Sequence, residues 1–171
     1  MRTLHIHPLT DADMPAVMHI QACCYTAIEP ESAASMAAKR SASPATCLGV
    51  RLQGADQPLL GYLLALPLRW PQLPALNSLA AHTPPDADTL YLHDLALLPQ
   101  ARGSGAGNAL VCHALTLAHT LHLPAAALIA IQHSAPYWHR HGFTAIDPPD
   151  AATRAKLHSY GPQACLMWRR V

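Results

Sequence analysis

The stretch "LYLHDLALLPQARGSGAGNALVCHAL", Leu90 to Leu115, constrains the fold more than any other part of the chain. An apolar, strand-like run reaches Pro99, glycines follow at 103, 105 and 107, and apolar residues then recur at helical spacing. A helix begins with unpaired N–H groups and a partial positive charge. Glycine lets the backbone approach an anion closely and adopt conformations that other residues avoid. Arg102 adds a fixed positive charge at the same place. Residues 102–107 are therefore suited to hold a phosphate. The loop is not a Walker A sequence, because no Gly-Lys-Ser/Thr follows, and its G-x-G-x-G spacing is not the G-x-G-x-x-G of dinucleotide-binding folds.

The rest of the chain alternates strands and helices. "TLHIH" (3–7) reads as a first strand. Residues 10–25 read as a helix capped by Thr10 or Asp11, with Met14, Val17, Met18 and Ile20 on its apolar face. An Ala-rich second helix is expected within 29–43, stopped near Pro44. Segments 45–53 and 58–70 read as strands separated by the turn "GADQ". Segment 71–88 is Pro-rich and irregular, and its length suggests a functional role. Strands at 89–98, 125–131, 143–146 and 163–171, and helices at 104–122 and 134–141, complete the pattern. Segment 147–162 is expected simply to connect the last two strands.

The 171 residues suit one domain, 1–171, and with 51% hydrophobic and 12% charged residues the chain has enough apolar surface to bury a core. The net charge is +1 and no Lys/Arg stripe is visible, so a nucleic-acid partner is not expected. The N-terminus does not resemble a signal peptide and no run approaches a membrane span, so the expectation is a soluble, cytoplasmic protein without membrane contact. The five cysteines, 23, 24, 47, 112 and 165, have no C-x-x-C spacing and are expected to be reduced. Three histidine pairs, His5/His7, His119/His122 and His139/His141, invite a metal reading. None has a third ligand at suitable spacing, so no metal is expected.

Leu97-x-Pro99-x-x-Arg102-Gly103-Ser104-Gly105-Ala106-Gly107 resembles motif A of the GCN5-related N-acetyltransferase (GNAT) superfamily, Arg/Gln-x-x-Gly-x-Gly/Ala after a strand. Arg102, Gly105 and Gly107 fill the defined positions. "SAPYWHRHGF", Ser134 to Phe143, resembles motif B, whose helix ends in Gly-Phe. The resemblance implies an α/β single-domain GNAT fold, with a mixed, roughly seven-stranded twisted sheet flanked by helices. Its two central parallel strands, here 89–97 and 125–131, would splay into a V that receives acetyl-CoA. Backbone groups of Leu95, Ala96 and Leu97 would pair with the pantetheine. The loop Arg102, Gly103, Ser104, Gly105, Ala106, Gly107 would hold the pyrophosphate, with Ser134 lining the cofactor site.

The reaction implied is direct attack of a primary amine, expected to be a small molecule, on the thioester. A lysine-like amine has a pKa of ~10.4, so its neutral form costs about 4 kcal/mol at pH 7.4 and a base is useful. By strand alternation Tyr91, His93 and Leu95 share one face and Leu92, Asp94 and Ala96 the other. In the arylalkylamine N-acetyltransferases of this superfamily, histidines with a proposed base role occupy positions corresponding to Tyr91 and His93. His93 is thus the base candidate and Asp94 its rival. Tyr25, Glu29, Glu31, Trp70, segment 71–88 and Tyr91 are expected around the acceptor. The tyrosine that the family often places four residues before the motif B glycine is here Trp138. Tyr137, the catalytic candidate on the thiol side, sits about 100° away around the helix. The alternative functional reading is a CoA-binding sensor or inactive homologue, and a homodimer is compatible with the family.

Overall fold

In the computed structural model, which describes residues 3–26, 28–54 and 56–171, strand β1 (Leu4–Pro8) leads through a 3₁₀ turn at Asp11–Asp13 into helix α1 (Met14–Cys24). Helix α2 (Ala33–Ala42) follows, then strands β2 (Leu48–Leu52), β3 (Leu59–Leu68) and β4 (Thr89–Leu97). The second half runs α3 (Ala106–Thr120), β5 (Ala125–Ala130), α4 (Ala135–Arg140), β6 (Thr144–Ala145), α5 (Ala151–Ser159) and β7 (Cys165–Arg170). The seven strands form one sheet in the order β1-β2-β3-β4-β5-β7-β6, with β4–β5 the parallel pair and antiparallel pairing elsewhere. No described helix is long and apolar enough to cross a membrane.

Each face of the sheet is covered by its own helices. Leu110, Val111 and Ala114 of α3 recur at helical spacing and bury against Leu63, Ala65, Leu90 and Leu92. Val17 and Ile20 of α1 and Met36 of α2 bury on the opposite face, against Tyr62, Leu64 and Ala96. A third cluster joins Tyr91 and Ala127 to Leu68, Leu73 and Leu166, with Trp70 packed at its edge.

Three sequence expectations need correction. First, 147–162 is not a bare connection: it carries α5, whose N-cap Asp150 accepts a hydrogen bond from the Thr153 N–H at 2.7 Å. Second, both N-terminal helices begin later than expected. Thr10 and Asp13 bond each other across a 3₁₀ turn, and Ser32 caps α2 by accepting from the Ser35 N–H, which leaves Glu29–Glu31 outside the helix. Third, the alternation of β4 breaks. Leu64 pairs with Asp94 but Ala65 pairs with Leu92, so His93 is the extra residue of a β-bulge. The bulge reverses the parity of the strand. Leu90, Leu92, Leu95 and Leu97 all face α3, whereas Asp94 and Ala96 face α1, together with His93, which contacts Glu31.

Leu110 lies fully inside the larger core. Leu110→Ala is expected to cost roughly 2–5 kcal/mol of stability. Chemical denaturation checks this: the midpoint falls while the m-value stays constant.

Candidate active site

β4 and β5 pair only at Thr89–Ala125, Leu90–Ala126 and Tyr91–Ala127, and beyond these the strands diverge. The expected V is the result. Its two adjoining clefts hold about 820 and 740 Å3 of empty space and share Tyr25, Leu95, Arg102, Gln132 and Tyr137. Leu95, Ala96 and Leu97 form one wall and Ser134 lies on the other. The Leu97 carbonyl accepts the Cys24 thiol at 3.1 Å, and the Tyr25 hydroxyl lies 3.2 Å from the Leu95 carbonyl. Each carbonyl keeps a second lone pair for an added strand-like partner.

The glycine loop closes one end of the V. Gly103 and Gly105 have φ of +76° and +87°, and a Cβ at either would meet nothing within 4 Å, so both face open space. The first bond of α3 is Ala109 N–H to Gly105 C=O at 2.9 Å. Arg102 and Ser104 N–H turn back to the carbonyls of Pro99 and Ala101, and Ala106 N–H bonds the Ser104 hydroxyl. The N–H groups left without an acceptor among the described residues are thus those of Gly103, Gly105, Gly107 and Asn108, at the start of α3. Gly107 serves packing instead, since a Cβ there would stand 2.9 Å from the Tyr137 hydroxyl and 3.1 Å from a Leu97 methyl. Only glycine lets the start of α3 approach α4 and β4 so closely.

On the other side of β4, a smaller pocket with about 350 Å3 of empty space meets the V at His93, Asp94 and Tyr160. Glu29, Glu31, Ile28, Leu76 and Tyr25 also line it. Trp70 and Tyr91 do not, contrary to expectation. Both pack in the third core cluster, where Tyr91 is fully buried with its ring 5.8 Å from that of His93.

His93 is buried, and its Nε2 lies 3.0 Å from Glu31 Oε1. The other oxygen of Glu31 is 2.9 Å from the ammonium of Lys39, itself buried and 2.6 Å from the Ser35 hydroxyl. The Asn77 N–H donates to Glu31 Oε1 at 3.0 Å, and the Gln21 side chain bonds the N–H and C=O of Glu31 at 3.1 and 2.9 Å. Burial alone pushes the Glu31 carboxyl up. The hydrogen bond from His93 and the positive charge that His93 carries when protonated, with the bonds from Lys39 and Asn77, outweigh it and bring the carboxyl down to about 2. Asp94 contrasts with it. Fully buried, it takes hydrogen bonds from the hydroxyls of Tyr25 and Tyr62, the latter at 2.6 Å. Burial wins there and raises its pKa.

On the thiol side, Tyr137 lines both clefts of the V and its hydroxyl has no hydrogen-bond partner among the described residues. Burial raises that phenol to about 12. Trp138 is buried edge-on to Phe143 at 5.7 Å.

Gln21, Ser35, Lys39, Tyr62, Asn77 and Tyr160 were not legible as site residues. Their only sequence signals are a lysine inside an apolar helix face and an asparagine in the irregular segment. Gln132 and His133 are a further surprise: both adopt left-handed φ, +51° and +58°, directly after β5, and Gln132 lines the V. Such backbone costs of order 1–3 kcal/mol per residue and tends to mark working sites. Of the histidine pairs, His5 and His7 stack in parallel with centroids 5.6 Å apart, and His7 lies 2.8 Å from Arg51. Among the described residues, no three His, Cys, Asp or Glu side chains are placed to hold a metal.

A family model described as "Acetyltransferase (GNAT) family" matches residues 14–143. The chain belongs to the GNAT acetyltransferase family. No curated protein matches it by sequence. Among solved structures, the loading GNATL domain of CurA from Lyngbya majuscula superposes with a TM-score of 0.77 at 10% identity, covering 98% of both chains. The ribosomal-protein-S18-alanine N-acetyltransferase from Escherichia coli gives 0.66 at 16% identity, covering 99% of this chain and 94% of that one. Rv2747 from Mycobacterium tuberculosis, solved in complex with CoA, gives 0.69 at 16%, covering 98% and 99%. At these identities the likeness is one of fold. The GNAT fold expected from motifs A and B is therefore present, with its splayed central pair.

Glu31 also links the site to stability. Its carboxyl titrates at about 2 in the folded protein against 4.5 when unperturbed. A depressed folded pKa contributes stability above the unfolded value that is lost as pH falls from about 4.5 toward 2. Glu31→Gln is expected to lower the melting temperature at neutral pH and to flatten its decline across that range. A residual slope remains, because Asp13 and Asp150 are also depressed, by their bonds to Thr10 and Thr153. Thermal melts at a series of pH values check this.

Proposed function

We propose that this GNAT protein transfers an acetyl group from acetyl-CoA to the primary amine of a small molecule, by direct attack in a ternary complex. The co-substrate is acetyl-CoA. The observation that carries the reading is the junction on β4: the V and the small pocket on the far face of the strand meet at Tyr25, His93, Asp94, Ile131 and Tyr160, and His93 is the imidazole among them. The free N–H groups of Gly103, Gly105, Gly107 and Asn108, with Arg102 beside them, suit the pyrophosphate. The edge of Leu95, Ala96 and Leu97 suits the pantetheine amides, and Ser134 lies where the pantetheine passes α4.

The amine needs a proton acceptor, and His93 suits that role better than its neighbours. Glu31, at about 2, is too weak a base, and both oxygens of Asp94 are occupied by phenols. The ammonium gives one proton to His93, the neutral nitrogen bonds to the acetyl carbon and the C–S bond breaks, and the second proton of the nitrogen passes to the departing thiolate or to water. Tyr137 is a phenol that lines both clefts of the V and whose hydroxyl has no hydrogen-bond partner among the described residues. A CoA thiol of pKa ~8.5 leaves as a thiolate without needing full proton transfer, so Tyr137 assists by hydrogen bonding. The size of the acceptor pocket and its mixture of Glu29 with Ile28 and Leu76 favour a small amine carrying an apolar group. The peptide acceptor named for the Escherichia coli neighbour is the alternative, and a panel of small amines against N-terminal peptides separates the two.

Two variants test the reading. Gly105→Val places a β-branched side chain at φ +87° on the open face of the loop. It is expected to weaken acetyl-CoA binding by roughly tenfold or more in calorimetry. Unchanged affinity would remove the loop from the cofactor site. His93→Ala is expected to lower turnover by about 10²-fold with acetyl-CoA affinity intact. If the parent binds acetyl-CoA yet releases no thiol with any amine, the sensor reading replaces the enzyme.

A further inference from the structure

Residues outside β4 hold His93 in one state, and their arrangement has a chemical consequence. Glu31 is an acceptor-only carboxylate, so the contact at Nε2 requires a proton on that nitrogen. In a neutral imidazole the lone pair is then on Nδ1, and Nδ1 is buried without a partner among the described residues. Glu31 cannot turn away. One oxygen is held by Asn77, the other by Lys39 and Ser35, and its backbone by Gln21.

We propose that Glu31 is a positioning residue for His93, keeping the imidazole proton on Nε2 so that Nδ1 takes the proton of the acceptor amine, and that Lys39 anchors the Glu31 carboxylate and balances its charge. This rests on the reading of His93 as the base. A buried carboxylate facing a histidine by itself favours the imidazolium, which cannot accept a proton. The ammonium of Lys39, 2.9 Å from the other oxygen, offsets that pull. The remaining groups around His93 do not upset the balance. Tyr91 and Tyr160 are pushed up by burial and stay neutral, as does Tyr25, which donates to Asp94. Asp94 is screened by its two phenols, and Glu29 is exposed at the pocket mouth. When the amine proton arrives on Nδ1, the imidazolium is stabilised by the Glu31 carboxylate already in contact.

The experiment uses the full chain with acetyl-CoA and the best amine of the panel. Glu31→Leu/Lys39→Met removes both charges together. Replacing a buried pair by apolar residues of similar volume is commonly tolerated, whereas Glu31→Leu alone strands a buried ammonium. The double variant is expected to lose about tenfold to hundredfold in kcat with acetyl-CoA affinity unchanged. In a His93→Ala background it is expected to lose nothing further, because Glu31 acts through His93. Lys39→Met alone leaves an unbalanced anion beside His93, so the acid limb of the pH–rate profile moves to higher pH. Nitrogen-15 spectra, with the His93 signals assigned by their absence in His93→Ala, report the proton on Nε2 in the parent and a tautomer mixture in the double variant. Full kcat in the double variant, beside a hundredfold loss in His93→Ala, overturns the positioning role and leaves the base reading standing. Full activity in His93→Ala overturns both.

Discussion

At His93, β4 carries one residue more than β3 can pair. In a regularly paired strand, alternation would send His93 and Asp94 to opposite faces. With the extra residue, the strand gives its leucines to α3 on both sides of the bulge and turns two titratable side chains toward α1 and the connection to α2. The bulge also lies two residues past the last β4–β5 pair. Bulges bend strands and increase local twist, so the irregularity that aims His93 coincides with the start of the V. The aim of His93 and the opening of the V thus meet at one extra residue in one strand.

Two charged side chains, Glu31 and Lys39, are buried beneath that strand. An ion pair taken out of water gains little net stability unless its remaining polar atoms are satisfied. Here they are, and the satisfying groups come from distant parts of the sequence: Gln21 on α1, Ser35 on α2, and Asn77 and Ser78 in the irregular segment. The segment 71–88 is thereby bound to the active site by polar contacts rather than by strand pairing. Its Asn77 sits at a left-handed φ of +54°, a conformation asparagine tolerates. The pair stands directly against His93, which is the ground for the positioning role proposed for Glu31.

The parts of the fold written in local sequence were legible. Glycines ahead of a helix, a motif B helix ending in Gly-Phe, and alternating apolar runs led to the GNAT sheet with its splayed pair. Leu95 to Leu97, Arg102 and Ser134 line the clefts of the V. What was not legible depends on long-range register. Nothing in "YLHDLAL" announces a bulge, because it arises where Ala65 of β3 pairs with Leu92 and passes over His93. The partnership of Glu31 with His93 spans 62 positions of sequence, and that of Asn77 with Glu31 spans 46. Helix α5 was missed for a simpler reason. Its cap, Asp150, followed two prolines in a polar stretch that read as a loop, although Asp-x-x-Thr ahead of a run without Gly or Pro is a helix start.

The unusual feature in motif B, Trp138, follows from the packing. Its indole fills the core against Phe143, under the floor of the V, where a phenol would bury a hydroxyl. Tyr137 instead turns toward the first turn of α3, and the missing side chain of Gly107 makes room for its hydroxyl. The phenol therefore approaches the V from the glycine-loop side. A donor placed there stands beside the first turn of α3 and the wall at Leu97. Burial has raised that O–H to about 12, which makes it a poor proton source against a thiolate of pKa ~8.5 but a durable hydrogen-bond donor. In the proposed reaction the demanding proton transfer is the one on the amine side, where a pKa of ~10.4 must be overcome near neutral pH. That is the side on which the chain has buried a histidine, a carboxylate and a lysine in mutual contact.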